Sequence, residues 1–137
     1  MGKIEPGNVF AIPLEDGRWA IGKVLFCSQR YKHAILVALD ALLFSELPTS
    51  VDLEKNFDAI DLWTSSVSAA HYWNMIGTAE LPEDHLERTR RIVGGAVWVA
   101  DTFVHEASHQ EMQQLPKMLA YGNVALVCEI ARTLGTK

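Results

Sequence analysis

The stretch Asn8-Val9-Phe10-Ala11-Ile12-Pro13-Leu14-Glu15-Asp16-Gly17-Arg18-Trp19-Ala20-Ile21-Gly22-Lys23-Val24-Leu25-Phe26 decides the fold. Its first arm alternates, with Phe10, Ile12 and Leu14 on one face, and its second arm continues as β-rich chain, so the two read as paired strands. Asp16-Gly17 between them predicts a two-residue type I′ turn, because Asp and Gly tolerate the positive φ that both central positions require. That register sets Glu15 opposite Arg18 as an exposed charge pair, which helps fix register more than stability. Gly22 offers no side chain to pack inside the second arm, which predicts a bulge or the close approach of another backbone.

Working outward, His33 to Asp40 is apolar on both faces and predicts a central strand, with a turn near Pro48. Phe57 to Trp63 alternates, opposing Phe57, Ala59, Asp61 and Trp63 to Asp58, Ile60 and Leu62; Tyr72 to Thr78 and Ala96 to Val104 read as further strands. Glu80 to Arg91 is mostly charged and is expected as a solvated loop or short surface helix, ended by Gly94-Gly95. Two helices follow, Ser108 to Leu115 and Asn123 to Leu134, the second with Val124, Val127, Cys128, Ala131 and Leu134 on one stripe and Gly135 as its C′ residue. The expected fold is α+β, one domain over residues 1–137: a strongly bent antiparallel sheet of at least five strands, barrel-like at its N-terminal end, with two C-terminal helices.

Composition supports an ordered domain. Hydrophobic residues make up 49% of the 137 and charged residues 21%, close to the average for globular chains. Cys27 and Cys128 each lie in an apolar run and are expected as core thiols, and the same reading places Trp63 and Trp73 in the core, with Trp19, just after the turn, the one to watch for a binding role. Met1 to Pro6 has no apolar stretch of the signal-peptide kind and no run reaches a membrane span, so a cytoplasmic location without membrane contact is expected. The net charge of −5 disfavours a nucleic-acid ligand, whose phosphates are bound by Lys and Arg, and favours a basic protein partner.

His105-Glu106-Ala107-Ser108-His109 matches H-E-x-x-H, with Glu129 as a conceivable third ligand. Zinc hydrolysis through this motif needs both His on one helical face, with Glu106 as general base on a bound water. Ser108-His109-Gln110-Glu111 reads instead as a capping box, and a helix that starts at Ser108 excludes His105. Neither Cys has the polar, cationic setting of a nucleophile, no Ser lies in a Gly-x-Ser-x-Gly turn, and no glycine cluster matches a phosphate loop. The residues therefore point to no catalytic group, no metal and no cofactor. A zinc-dependent hydrolase and a small-molecule or peptide-binding barrel module stand as alternatives.

Carboxylates concentrate at Asp52, Glu54, Asp58 and Asp61 and again at Glu80, Glu83, Asp84 and Glu87. Each group is either a solvated face or a docking surface for a basic partner.

Pro6-Gly7-Asn8-Val9-Phe10-Ala11-Ile12-Pro13-Leu14 and Asp16-Gly17-Arg18-Trp19-Ala20-Ile21-Gly22-Lys23-Val24-Leu25 resemble the immunity protein 26 family, found in bacterial polymorphic-toxin and contact-dependent inhibition loci. The resemblance extends through Trp73-Asn74-Met75-Ile76-Gly77, Leu81-Pro82, Gly94-Gly95-Ala96-Val97-Trp98, Leu115-Pro116-Lys117-Met118 and Tyr121-Gly122-Asn123. It implies a cytoplasmic, stoichiometric inhibitor of a cognate toxin C-terminal domain, with no catalysis and no metal pattern at His105 to His109. A nuclease is the expected class of toxin, since basic clefts that grip nucleic acid attract an acidic inhibitor. The eight carboxylates above are the expected interface.

Overall fold

A computed structural model describes residues 3–31, 33–49 and 57–135. Among the described residues nine strands and three helices form an α+β domain: β1 (Asn8–Pro13), β2 (Trp19–Cys27), β3 (Ala34–Leu39), β4 (Ile60–Ser65), α1 (Ser66–Tyr72), β5 (Asn74–Thr78), β6 (Arg91–Val93), β7 (Ala96–Val99), β8 (Thr102–Glu106), α2 (His109–Gln114), β9 (Ala120–Tyr121) and α3 (Asn123–Leu134). A six-stranded sheet runs in the order β5-β1-β2-β3-β4-β9, antiparallel except for the parallel β4–β9 pair, and β6-β7-β8 form a second, three-stranded sheet. The large sheet ends in edge strands β5 and β9, so among the described residues it is open where the sequence suggested a barrel-like end.

The chain apolar on both faces is β3, as its sequence requires. Ile35, Val37 and Leu39 join Phe10, Ile12 and Val24 in a core closed by Trp73 and by Leu126, Val127 and Ile130 of α3. Leu36 and Ala38 face the other way, with Val9, Ile21, Leu25, Phe57 and Trp63. Trp63 and Trp73 are buried, as expected, and the Trp73 indole donates to the Asn123 side chain at 2.9 Å.

The first hairpin forms, but its turn differs from the expected one. The Gly17 amide donates to the Leu14 carbonyl at 3.2 Å, the Leu14 amide to the Arg18 carbonyl at 2.8 Å, and only Gly17 has positive φ (+87°). This is a three-residue loop of the kind that ends in a glycine bulge, and it pairs Arg18 with Asp16 (2.6 Å) in place of Glu15. The two-residue loop with positive φ at both positions occurs elsewhere, at Gly94 (+58°) and Gly95 (+82°) between β6 and β7.

Gly22 marks no bulge. An added Cβ there would lie 2.6 Å from a Val37 methyl, so the glycine makes room for side chains of the neighbouring strands. The register shifts fall between Val24 and Phe26 on β2 and between Val9 and Phe10 on β1, and they supply the local bending.

Four further expectations are corrected. Ala96 to Val104 is a hairpin and not one strand, turning at Ala100-Asp101 with Ala100 at φ +53°. α1 begins in chain left unassigned by the sequence reading, capped by the Ser65 hydroxyl accepting from the Val67 amide. α3 is rotated from its expected stripe: Leu126, Val127 and Ile130 are buried, whereas Val124 is 72% exposed and Cys128 lies on the surface. Gly135 follows α3 with φ −95°, so it needs no left-handed backbone, and its amide donates to the Ala131 carbonyl.

Candidate functional site

Of the expected interface carboxylates, Asp52 and Glu54 lie outside the described residues. Asp58 and Asp61 enter and begin β4, while Glu80, Glu83, Asp84 and Glu87 lie on the connection from β5 to β6, with Glu87 in a short 3-10 turn. The fold brings part of the two groups together around a residue the sequence did not single out, Arg88.

Arg88 Nε donates to one Asp61 oxygen at 2.9 Å and Nη2 to the other at 2.5 Å, a planar two-pronged contact; Nη2 also donates to the Phe57 carbonyl at 2.9 Å. Asp58, Asp61, Asp84 and Arg88 line one shallow surface depression with Ala59 and Ile60. The Asp61 hydrogen bonds, outweighing desolvation and helped by the charges of Asp61, Asp84 and Asp58, raise the Arg88 pKa above its usual value. One carboxylate thus pairs with the guanidinium while two more line the same depression, which keeps a negative excess. Nothing local in Leu86-Glu87-Arg88-Thr89-Arg90 marks this role, because its partner is 27 residues upstream.

The other carboxylates divide. Glu87 is taken by Arg90 at 2.6 Å. Asp58, Glu80, Glu83 and Asp84 are exposed and form no ion pair among the described residues. Beneath them Lys23, nearly buried, donates to the Glu80 carbonyl at 2.7 Å and lies 5.0 Å from the Phe57 ring centre; burial and then the Arg88 charge lower its pKa. Lys23 therefore anchors the acidic connection to β2.

The H-E-x-x-H string folds as its capping box requires. His105 and Glu106 end β8, Ser108 caps α2, and His109 opens that helix, so the two His share no helical face. Ser108 Oγ accepts from the Glu111 amide at 3.1 Å and Glu111 accepts from the Ser108 amide at 2.9 Å. His105 Nε2 lies 2.8 Å from the same carboxylate, and the Ser108 amide, then His105, hold Glu111 below the ordinary carboxylate range. Among the described residues no three His, Cys, Asp or Glu stand where they could hold a metal ion. Cys27 is half-buried, with its thiol pushed up to about 11 chiefly by burial, the reverse of an activated nucleophile.

Grooves elsewhere are open at the surface. One runs beneath the N-terminal segment past Ile4, Cys27 and His33, and another between the Leu14–Asp16 turn and Val127 and Ala131 of α3. No helix among the described residues is long and apolar enough to cross a membrane. Comparison with protein-family models, with curated proteins and with solved structures finds no match in any of the three.

Proposed function

We propose that this chain is an immunity protein: a non-catalytic, cytoplasmic, single-domain inhibitor that binds a cognate bacterial toxin domain and blocks it by occupancy. The reading draws on the residues shared with the immunity protein 26 family. The observation that carries it physically is the depression around Arg88. Asp58 and Asp84, from segments distant in sequence, flank the Asp61–Arg88 pair there, and Glu80 and Glu83 extend the acidic rim. Negative charge concentrated there accelerates encounter with a basic cleft such as that of a nuclease, and discriminates against acidic partners.

The test is co-expression with the C-terminal domain of any large toxin that the adjacent upstream reading frame encodes. Restored growth together with a one-to-one complex by sedimentation is the expected result. Full toxin activity in the presence of saturating chain would end the reading.

A further inference from the structure

At the other end of β3 from the acidic depression, the β2–β3 loop meets the β7–β8 hairpin in a cluster of different chemistry. Arg30 lies with its guanidinium 4.8 Å over the Trp98 ring and 5.7 Å from that of Tyr31. Tyr31 and Phe103 meet Trp98 edge-on, with ring centres 6.2 and 6.0 Å away. Phe103 is 51% exposed and Val104 41%, and Arg30 is exposed with no carboxylate partner for its guanidinium among the described residues.

This cluster is held in place. Asp101, at the β7–β8 turn, accepts from Ser28 Oγ at 2.6 Å and from the Gln29 and Arg30 amides at 2.6 and 3.3 Å. The Gln29 and Arg30 backbone is thus tied to the hairpin before any partner arrives, which lowers the entropy lost on binding. Trp, Tyr and Arg gathered around an exposed apolar rim is the composition of a protein-binding hot spot.

Charge selects the occupant. Arg30 brings a positive charge that no carboxylate pairs among the described residues, and the carboxylate beside it, Asp101, is engaged by the Ser28 hydroxyl and the Gln29 and Arg30 amides. Arg30 covers one face of Trp98, and Tyr31 and Phe103 meet that ring edge-on, which leaves little of it for stacking of nucleic-acid bases. β8 is an edge strand, but a register shift opposite Val97 and Trp98 interrupts it, so recognition rests on side chains and not on an added strand.

We propose that Arg30, Trp98 and Phe103 form a docking platform for an acidic segment of a protein partner. A carboxylate takes the Arg30 fork in a two-pronged contact, and an adjacent apolar side chain lies on Phe103 and Val104. The platform is distinct from the acidic depression and stands independently of the toxin reading.

The test uses the full chain and fluorescein-labelled octapeptides of alternating Glu and Leu, read by anisotropy, beside a Gln-for-Glu peptide and a thymidine oligonucleotide. The Glu peptide binds saturably. Arg30→Gln and Arg30→Lys each weaken it at least tenfold, Phe103→Ser does likewise, and the Gln peptide binds at least tenfold more weakly and is indifferent to Arg30→Gln. Unchanged circular dichroism and melting of the Arg30 variants exclude a folding defect. Equal affinity for the Glu and Gln peptides, no effect of Arg30→Gln, or preferential binding of the oligonucleotide would overturn the proposal.

Discussion

Arg91 Cζ lies 4.6 Å over the ring of Trp63, a buried guanidinium on a buried indole, and this contact joins the small sheet to the large one. Nη1 donates to the Ala100 carbonyl at 2.6 Å, whereas Nε and Nη2 find no hydrogen-bond partner among the described residues. Burial lowers the Arg91 pKa, the Asp101 charge opposing it. A buried charge so incompletely satisfied is worth little beyond its packing. Arg91→Ala, which empties the space, is expected to cost about 2–4 kcal/mol, and Arg91→Met, which fills it, less than half as much, both read by urea unfolding. Equal losses would mean that the charge, and not the volume, holds the sheets together.

Gly22 and Gly17 resist substitution for different reasons. Gly22→Ala drives a methyl into Val37 at 2.6 Å and should cost about 1–3 kcal/mol through overpacking. Gly17→Ala meets no atom within 4 Å but must hold φ near +87°, at about 1–2 kcal/mol. Adding Val37→Ala should recover part of the first loss and none of the second, a pairing that unfolding curves resolve.

Asp101 makes stability depend on pH. Burial raises its pKa, but the Ser28 hydroxyl, the Gln29 and Arg30 amides and the Arg91 charge outweigh burial, and the net shift is downward. A carboxyl lowered on folding stabilises at pH values above its unfolded pKa of about 3.9, and that contribution disappears as pH falls through the lower folded value. Asp101→Asn should therefore destabilise by a constant amount above pH 5, about 1 kcal/mol, and the gap to wild type should narrow below pH 4. A gap unchanged down to pH 3 would contradict this.

Ser108 caps α2, and Ser108→Ala should cost about 1 kcal/mol by thermal unfolding. Mass spectrometry under native conditions should show no stoichiometric zinc, and His105→Ala should leave the metal content unchanged. One zinc per chain lost with His105→Ala would revive the hydrolase reading.

Charge reversal separates the interface carboxylates. On the proposed immunity reading, Asp58→Lys and Asp84→Lys, both exposed, should slow association with a cognate toxin domain several-fold at low salt and leave dissociation nearly unchanged. Asp61→Lys breaks the Arg88 contact and should destabilise the chain as well. Salt-independent association of all three would remove the depression from the interface.

Much of the large sheet was readable in the sequence from local patterning: the first hairpin and the facing of Ile60 and Leu62 against Asp61 and Trp63 follow from alternation, and β3 from a short run apolar on both faces. The capping box was equally local. What escaped depends on distant chain. α3 carries apolar residues nearly all round, so periodicity could not choose between the Val124–Cys128 stripe and the Leu126–Ile130 one that the sheet selects. Glu80 to Arg91 reads as solvated from its charge, yet Thr89 and Arg91 are buried, because Thr89 Oγ1 accepts from the Ala100 amide and Arg91 lies on Trp63. The acidic segments were visible one by one, but their meeting at Arg88 is a property of the fold.

The parallel pairing of β9 with β4, fastened by the Thr64 hydroxyl donating to the Tyr121 carbonyl at 2.6 Å, has a consequence for synthesis on the ribosome. The four-strand meander can assemble once Ser65 has emerged, but the part of its face that Leu126, Val127 and Ile130 cover stays bare until α3 has followed. Until then the nascent chain presents a sheet only partly covered, by Ala69 and Trp73. Truncation before α3 should leave a product claimed by chaperones or aggregation, because its remaining sheet lacks a lid of its own.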